Sequence, residues 1–134
     1  MNMSKPEKII VGLEASVIGL NAQTGEVCWH NDMSLGGHSW VALAVHEDVV
    51  FASANAKRIF CIGKETGQTL WSAQTNGIGR ASLMVTDEGI CVSKGGFVEC
   101  FSFDGEILWS KNLKQWGKKA AAMAYKNTIV QADG

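Results

Sequence analysis

Three titratable or cationic side chains stand at equivalent places in the sequence, each directly after a glycine. They are His38, Arg80 and Lys118, and each follows a repeated tryptophan by nine residues. Grouped around one mouth of a protein, such side chains could hold an anionic small molecule or the acidic loop of a partner. Two alternatives stay open. The three can be separate, solvated loop residues, and counting back from the next apolar segment aligns Trp40, Arg80 and Lys119 instead.

The histidines and cysteines form no recognised ligand pattern. The four cysteines contain no Cys-x-x-Cys pair, which argues against a zinc ribbon and a thioredoxin-type redox motif. We therefore expect free thiols at Cys28, Cys61, Cys91 and Cys100. The histidines are spaced by eight residues but fall in three different settings: His30, His38 and His46. The sequence predicts no metal site.

Catalytic motifs are also missing from the sequence. Segment 77–82 resembles a phosphate-binding loop, but it lacks the third glycine and no helical pattern follows it, so we interpret it as a connection. No G-x-S-x-G, P-loop or H-E-x-x-H motif occurs. We predict no catalytic residue and no cofactor, and an enzyme with its site in a central channel stays the less favoured alternative.

A repeat of about 40 residues positions the residues named above. Three segments share an apolar strand, a turn and the pattern Gly-x-x-x-Trp. Their glycines and tryptophans are Gly25, Gly67, Gly105, Trp29, Trp71 and Trp109. Cys61 and Cys100 occupy the same place in successive copies, which predicts a role in packing rather than in reactivity.

The repeat length suits either a helical repeat or a four-stranded blade, and the residue types decide. Short β-branched runs at 49–53, 90–93 and 128–131 are bounded by glycine and polar residues, which favours strands. The alanine-rich segment 118–126 has helical propensity, but its place in the repeat matches strands at 40–45 and 81–85. We therefore predict a strand there too.

The predicted fold class is all-β, a β-propeller of four-stranded antiparallel blades with about three to three and a half blades per chain. Residues 1–134 form a single partial propeller domain. Its complete repeats span approximately 39–72 and 81–110, and its partial repeats span 9–30 and 121–134.

This number of blades cannot close a ring, and an open arc leaves apolar faces and strand edges exposed. We therefore expect two chains to close a homodimeric ring of about six blades, or seven to eight if both terminal hairpins count. The alternative is a fragment of a longer propeller, because the sequence stops at 131–134 in the middle of a predicted hairpin.

The Thr-Gly-x-x-x-Trp element resembles the tryptophan-docking motif of the pyrroloquinoline-quinone-like β-propeller repeat, whose general form is Ala-x-Asp-x-x-Thr-Gly-x-x-x-Trp. The resemblance implies that the three tryptophans are largely buried docking residues. It also implies that the three turn glycines lie beneath neighbouring rings, where a Cβ would be in the way. Both sets of residues would then have structural roles.

The sequence departs from that pattern in ways that bear on function. Asn21, Gly63 and Ser102 stand where the pattern has aspartate, and the third copy is one residue shorter, with Asp104 replacing threonine. The quinone dehydrogenases of the family bring a calcium-binding acid set and an adjacent cysteine pair, and this sequence has no Cys-Cys dipeptide. We therefore expect neither quinone nor dehydrogenase activity.

Composition narrows the possible partners. The chain has 12 basic and 13 acidic residues, a net charge of −1 and no dense basic run, so nucleic acid and anionic membranes are not expected partners. No apolar stretch approaches the roughly 20 residues that span a bilayer. Relatives that act in outer-membrane protein assembly carry an export signal or lipid anchor, and no such signal is recognisable here, so we expect a cytoplasmic protein. The function that results is a non-enzymatic scaffold for protein or ligand binding.

Overall fold

The structure is a computed structural model that describes residues 6–132. All the regular elements in this range are β-strands, arranged in antiparallel sheets. The all-β fold and the four-stranded antiparallel blades predicted from the sequence are thereby confirmed. Nowhere in residues 6–132 does a helix occur that is long and apolar enough to cross a membrane.

The strands follow each other as successive blades. Blade 1 has three strands, β1 (Lys8–Leu13), β2 (Ser16–Asn21) and β3 (Val27–Asn31). Blade 2 has four, β4 (Ala42–His46), β5 (Val49–Ser53), β6 (Arg58–Gly63) and β7 (Thr69–Gln74). Blade 3 has four, β8 (Ser82–Val85), β9 (Gly89–Lys94), β10 (Phe97–Ser102) and β11 (Ile107–Asn112). A final hairpin pairs β12 (Met123–Tyr125) with β13 (Thr128–Val130).

The hydrophobic core lies between the faces of neighbouring blades. Successive side chains of a strand point to opposite faces, so β5 sends Val50 into the junction with blade 1 and Phe51 into the junction with blade 3. The first junction also buries Val17 and Phe60, and the second buries Phe101. Apolar residues on both faces of β5 and β6 explain why their sequences read as continuous apolar runs.

Two strands begin later than the sequence predicts. The strand expected from residue 39 begins at Ala42, because the carbonyl of Ser39 accepts a hydrogen bond from the amide of Ala15 in the β1–β2 turn. In segment 118–126 only Met123–Tyr125 forms a strand. There the carbonyl of Lys119 binds the amide of Gly96, so the preceding backbone is held by blade 3.

Candidate functional site

At two blade junctions an indole ring lies on a turn glycine of the next blade. Trp29 Nε1 donates a hydrogen bond to the carbonyl of Lys64 at 2.8 Å, and Trp71 Nε1 donates to the carbonyl of Phe103 at 2.9 Å. A Cβ added to Gly67 would lie 2.3 Å from Cδ2 of Trp29, and one added to Gly105 would lie 2.7 Å from Cδ2 of Trp71. These two turns therefore need glycine for the close approach of the ring.

The third tryptophan and the first glycine differ from the other copies. Trp109 is 48% exposed, whereas Trp29 is 9% exposed and Trp71 is half-buried. The expectation of three largely buried tryptophans is therefore wrong for Trp109. No described atom lies within 4 Å of a Cβ built on Gly25, so no ring covers it. Each docked ring lies on a turn glycine of the blade that follows. Residues 6–132 contain no such turn after β11 that could receive Trp109, and no tryptophan before β1 that could cover Gly25.

The loops that connect successive blades run over one end of the molecule. Asn55 lies in the β5–β6 turn. Its side-chain Oδ1 accepts a hydrogen bond from the His38 amide at 2.9 Å, and its backbone carbonyl accepts one from the Gly79 amide at 2.8 Å. The third connecting loop, between β11 and β12, is joined to the equivalent turn of blade 3, the β9–β10 turn, where the Gly96 amide donates to the carbonyl of Lys119. The loops that carry the candidate site residues thus share one end of the blades.

All three predicted site residues, His38, Arg80 and Lys118, are exposed on these loops. The Arg80 guanidinium lies 4.0 Å from the ring centroid of Trp40, a cation–π geometry. The structure therefore brings together Trp40 and Arg80, the pair that the alternative alignment matched. Lys118 lies beside the β9–β10 turn, with its Cα 3.2 Å from a Cβ built on Gly96.

The sequence reasoning missed a large exposed apolar side chain on each connecting loop. Leu35, Ile78 and Trp116 are 79%, 62% and 75% exposed. Ile78 and Trp116 directly precede the glycine-basic pairs, so an apolar-glycine-basic triplet in two loops was the available signal. We call these three apolar residues, together with His38, Arg80 and Lys118, the loop face. An open cavity of about 650 Å³ adjoins it, lined in part by Trp116, Lys118 and Ala121.

A buried lysine fixes the turn on which two of these loops rest. The Lys94 ammonium donates to Ser53 Oγ at 2.8 Å and to the carbonyls of Ala54 and Ala56 at 2.8 and 2.6 Å. These contacts hold the β5–β6 turn, including Asn55, against blade 3. Burial lowers the Lys94 pKa from 10.5 to about 8, and the charge of Glu99 opposes the shift.

Glu99 is also buried, and it anchors the start of the second connecting loop, between β7 and β8. Its carboxylate accepts hydrogen bonds from the backbone amide and the Nδ2 of Asn76, at 2.8 and 2.5 Å, and from Ser110 Oγ at 2.8 Å. Buried polar groups persist when they are paired in this way. Lys94 and Glu99 therefore position the loop face by fixing the buried backbone on which its loops rest.

The shifted pKa of Lys94 predicts a stability change at alkaline pH. Between pH 8 and 10.5 the folded chain has lost the Lys94 proton and the unfolded chain has kept it, so the unfolded state binds more protons and stability rises with pH. Relative to Lys94→Met, we expect the wild-type free energy of unfolding to increase by up to about 3 kcal/mol across this window.

Urea denaturation of both proteins from pH 7.5 to 10.5 measures this difference. The buried cysteines, with their raised pKa values, lower stability at alkaline pH in both proteins alike, so the comparison cancels their contribution. Parallel pH curves for the two proteins would contradict a lowered pKa for Lys94 in the folded chain.

The cysteines have roles in packing. Burial raises the pKa of Cys61 to about 11 and that of Cys91 to about 12, and it raises the pKa of Cys100 as well, so these thiols stay protonated near neutral pH. Cys28 is exposed. In the part of the chain that the structure describes, no three His, Cys, Asp or Glu side chains gather as metal ligands. The buried thiols lie on three strands, with Cys91 directly opposite Cys100, and the Glu99 carboxylate is hydrogen-bonded to Asn76 and Ser110.

Comparison with solved structures gives matches to proteins of the propeller type. BamB from Moraxella catarrhalis superposes with a TM-score of 0.66 at 21% identity, over 79% of this chain and 33% of that chain. The computationally designed protein Ika8 gives a TM-score of 0.73 at 20% identity, over 98% and 41% of the two chains. The quinohemoprotein alcohol dehydrogenase ADHIIG from Pseudomonas putida HK5 gives 0.64 at 19% identity, over 79% and 19%. The chain thus spans less than half the length of each of these proteins.

Comparison at the level of sequence gives one informative result. No curated protein sequence matches the chain. The sequence profile of the family described as outer membrane protein assembly factor BamB matches residues 13–115, which cover all three copies of the tryptophan motif. The predicted resemblance to the pyrroloquinoline-quinone-like propeller repeat is confirmed, and the chain belongs to the family of the outer membrane protein assembly factor BamB.

Proposed function

We propose that the chain is a non-enzymatic propeller scaffold that binds a partner protein through the loop face. One observation carries this proposal: each of the three connecting loops exposes a large apolar side chain close to a basic or titratable one. Monomeric soluble proteins rarely gather exposed apolar residues in one place unless the surface binds something. The match to a family described as an assembly factor supports a protein as the partner.

The chemistry of the loop face indicates an acidic and apolar partner segment. Leu35, Ile78 and Trp116 offer apolar area, while Arg80 and Lys118 offer positive charge in a chain of net charge −1. The stacking of Arg80 on Trp40 orients the guanidinium before binding, which lowers the entropy lost when a carboxylate is bound. A small anionic ligand at the same basic residues is the second candidate.

The proposal of a non-enzymatic function rests on the composition of the inner strands and on the hydrogen bonds of the buried polar side chains. The inner strands β4, β8 and β12 consist largely of Ala, Val, Leu and Met. The hydroxyl of Ser82 donates to the Ala121 carbonyl at 2.5 Å, and the buried Lys94 and Glu99 are both hydrogen-bonded to structural groups. The polar groups of the interior thus hold the framework together.

We propose further that a second copy of the chain closes the ring. Within residues 6–132, blade 1 has no counterpart of the inner strand β4, whereas the last sheet consists of a hairpin whose β12 matches β4 in the repeat. The hairpin of one copy can complete the first sheet of another by strand pairing, which removes exposed strand edges.

The loop face predicts a measurable preference for one class of peptide. A fluorescein-labelled peptide that alternates aspartate with leucine and phenylalanine should bind the wild-type chain, and Arg80→Ala with Lys118→Ala should weaken binding at least about tenfold. Trp116→Ser should weaken it further, because an exposed tryptophan is a typical binding hot spot. Fluorescence anisotropy measures the dissociation constants.

The matched control removes two positive charges from the opposite end of the blades. Lys64 and Lys126 lie in the β6–β7 and β12–β13 turns there, so Lys64→Ala with Lys126→Ala changes the net charge equally. We expect less than about a twofold change, since the remaining effect is long-range and screened. Equal weakening by both double variants, or no binding to the wild-type chain, would contradict the loop face as the binding surface.

A further inference from the structure

We propose that Trp109 of one copy docks on the Gly25 turn of a second copy, and that this contact closes each junction of the ring. The inference rests on the homodimer proposed above and names the residues that form its interface. Within one chain, Trp109 is a docking ring with no turn beneath it in the described residues, and Gly25 is a turn with no ring above it.

The two junctions inside the chain show what this contact requires. In each, the indole lies on a glycine with a positive φ, +76° at Gly67 and +92° at Gly105, and its N–H donates to a backbone carbonyl of the same turn. Burial of a flat aromatic ring on a backbone that carries no Cβ provides the packing, and the hydrogen bond satisfies the buried N–H.

The Gly25 turn already has the conformation of a receiving turn. Its φ is +78°, close to that of Gly67, and the Gly25 amide donates to the Asn21 carbonyl at 2.8 Å, as the Gly67 amide donates to the Gly63 carbonyl at 2.8 Å. Lys64, whose carbonyl receives the Trp29 indole, stands three residues before Gly67; its counterpart before Gly25 is Ala22. We therefore assign the Ala22 carbonyl of the second copy as the acceptor for Trp109 Nε1.

Exposed apolar side chains surround both residues. Trp109 and Leu108 line an open cavity of about 500 Å³ between blade 3 and the β12–β13 hairpin of the same chain, which Cys100 and Met123 also line. On blade 1, Ile9 and Leu13 are exposed, while Ile10 between them packs into the first junction. Strand alternation places Ile9 and Leu13 on the face turned away from blade 2, where a further blade would pack. A second copy fits both ends, because it offers a Gly25 turn to Trp109 at one end and a Trp109 ring to Gly25 at the other.

The test compares the mass in solution of the wild-type chain with that of variants at each end. Multi-angle light scattering of the wild type should give about twice the 14.4 kDa chain mass. Trp109→Ala should weaken dimerisation at least about 100-fold, and so should Gly25→Ala, since the added methyl occupies the place of the incoming ring. The controls are Trp116→Ala and Gly79→Ala, which remove an exposed tryptophan and an open positive-φ glycine of the connecting loops, neither of them part of the Trp109–Gly25 contact. Both controls should dimerise like the wild type.

A mixing experiment separates lost docking from lost folding. An equimolar mixture of Trp109→Ala and Gly25→Ala chains contains one intact pair, the Trp109 of one variant and the Gly25 of the other. The mixture should therefore form mixed dimers at least about tenfold more tightly than either variant associates alone, as seen by sedimentation velocity with one chain fluorescently labelled.

Each outcome decides between the two proposals. A wild-type dimer that persists unchanged in both end variants, or a mixture that associates no better than its components, overturns the docking contact and leaves the homodimer standing. A well-folded wild-type chain with the mass of one copy overturns both.

Discussion

Replacing Trp29 by alanine should lower the free energy of unfolding by about 3–5 kcal/mol, the cost of deleting a large buried aromatic side chain. The Trp29 ring is 9% exposed, covers Gly67 and belongs to the core between blades 1 and 2. Its indole N–H also donates to the Lys64 carbonyl, which the variant leaves without that partner. Urea denaturation followed by circular dichroism measures the change.

The control for this variant deletes an equally large ring that makes no junction. Trp116 is 75% exposed on the third connecting loop, so Trp116→Ala should change the free energy of unfolding by less than about 0.5 kcal/mol. Similar losses in the two variants would show that Trp29 does not join the blades as the geometry indicates.

Replacing Gly67 by alanine should have the second largest effect, about 2–5 kcal/mol. A residue with a side chain costs about 1–2 kcal/mol in the left-handed region, and Gly67 has a φ of +76°. The added Cβ would also lie 2.3 Å from the Trp29 ring, and overpacking of this kind costs about 1–3 kcal/mol more. The midpoint of thermal or urea unfolding reports the sum.

Gly79→Ala separates the two contributions to the Gly67 result. Gly79 has a φ of +104° and no described atom within 4 Å of its Cβ position, so the variant carries the backbone cost without the collision. If Gly67→Ala is no less stable than Gly79→Ala, the ring does not rest on this turn. A clearly lower stability of Gly67→Ala assigns the difference to docking.

The docking geometry also relates the framework to the proposed binding surface. Trp29 and Trp71 fix how each blade sits against the next, and Asn55 then joins the first and second connecting loops through hydrogen bonds to His38 and Gly79. Lys94 holds the Asn55 turn against blade 3. Loss of blade packing should therefore disorder the loop face, whereas substitutions on the loop face should leave stability unchanged.

Most of the fold follows from local, repeated features of the sequence. Alternating or β-branched runs predict strands, and glycines between them predict tight turns, so both elements can be predicted from a few neighbouring residues. The recurrence of Gly-x-x-x-Trp then predicts blades that pack in series. The strand boundaries at residues 39–41 and 118–122 could not be read in this way, because backbone hydrogen bonds to Ala15 and Gly96, distant in the sequence, decide them.

The candidate site depended more on tertiary structure. The sequence selected Arg80 but left its alignment open, and only the packing of blade 2 against blade 3 places its guanidinium over Trp40. Lys94 reads as an ordinary lysine at the end of a strand, and its burial arises because three acceptors of another blade surround its ammonium.

The sequence by itself determined that three tryptophans and three glycines share one motif, because that motif is local and repeats. It could not determine that Trp109 and Gly25 are exposed while the other copies pair with each other, since docking depends on the blade that lies alongside. A repeated motif has the same local chemistry in every copy, but its burial is a property of its neighbours. Tertiary structure therefore decided which copies hold the chain together and which remain available to a second chain.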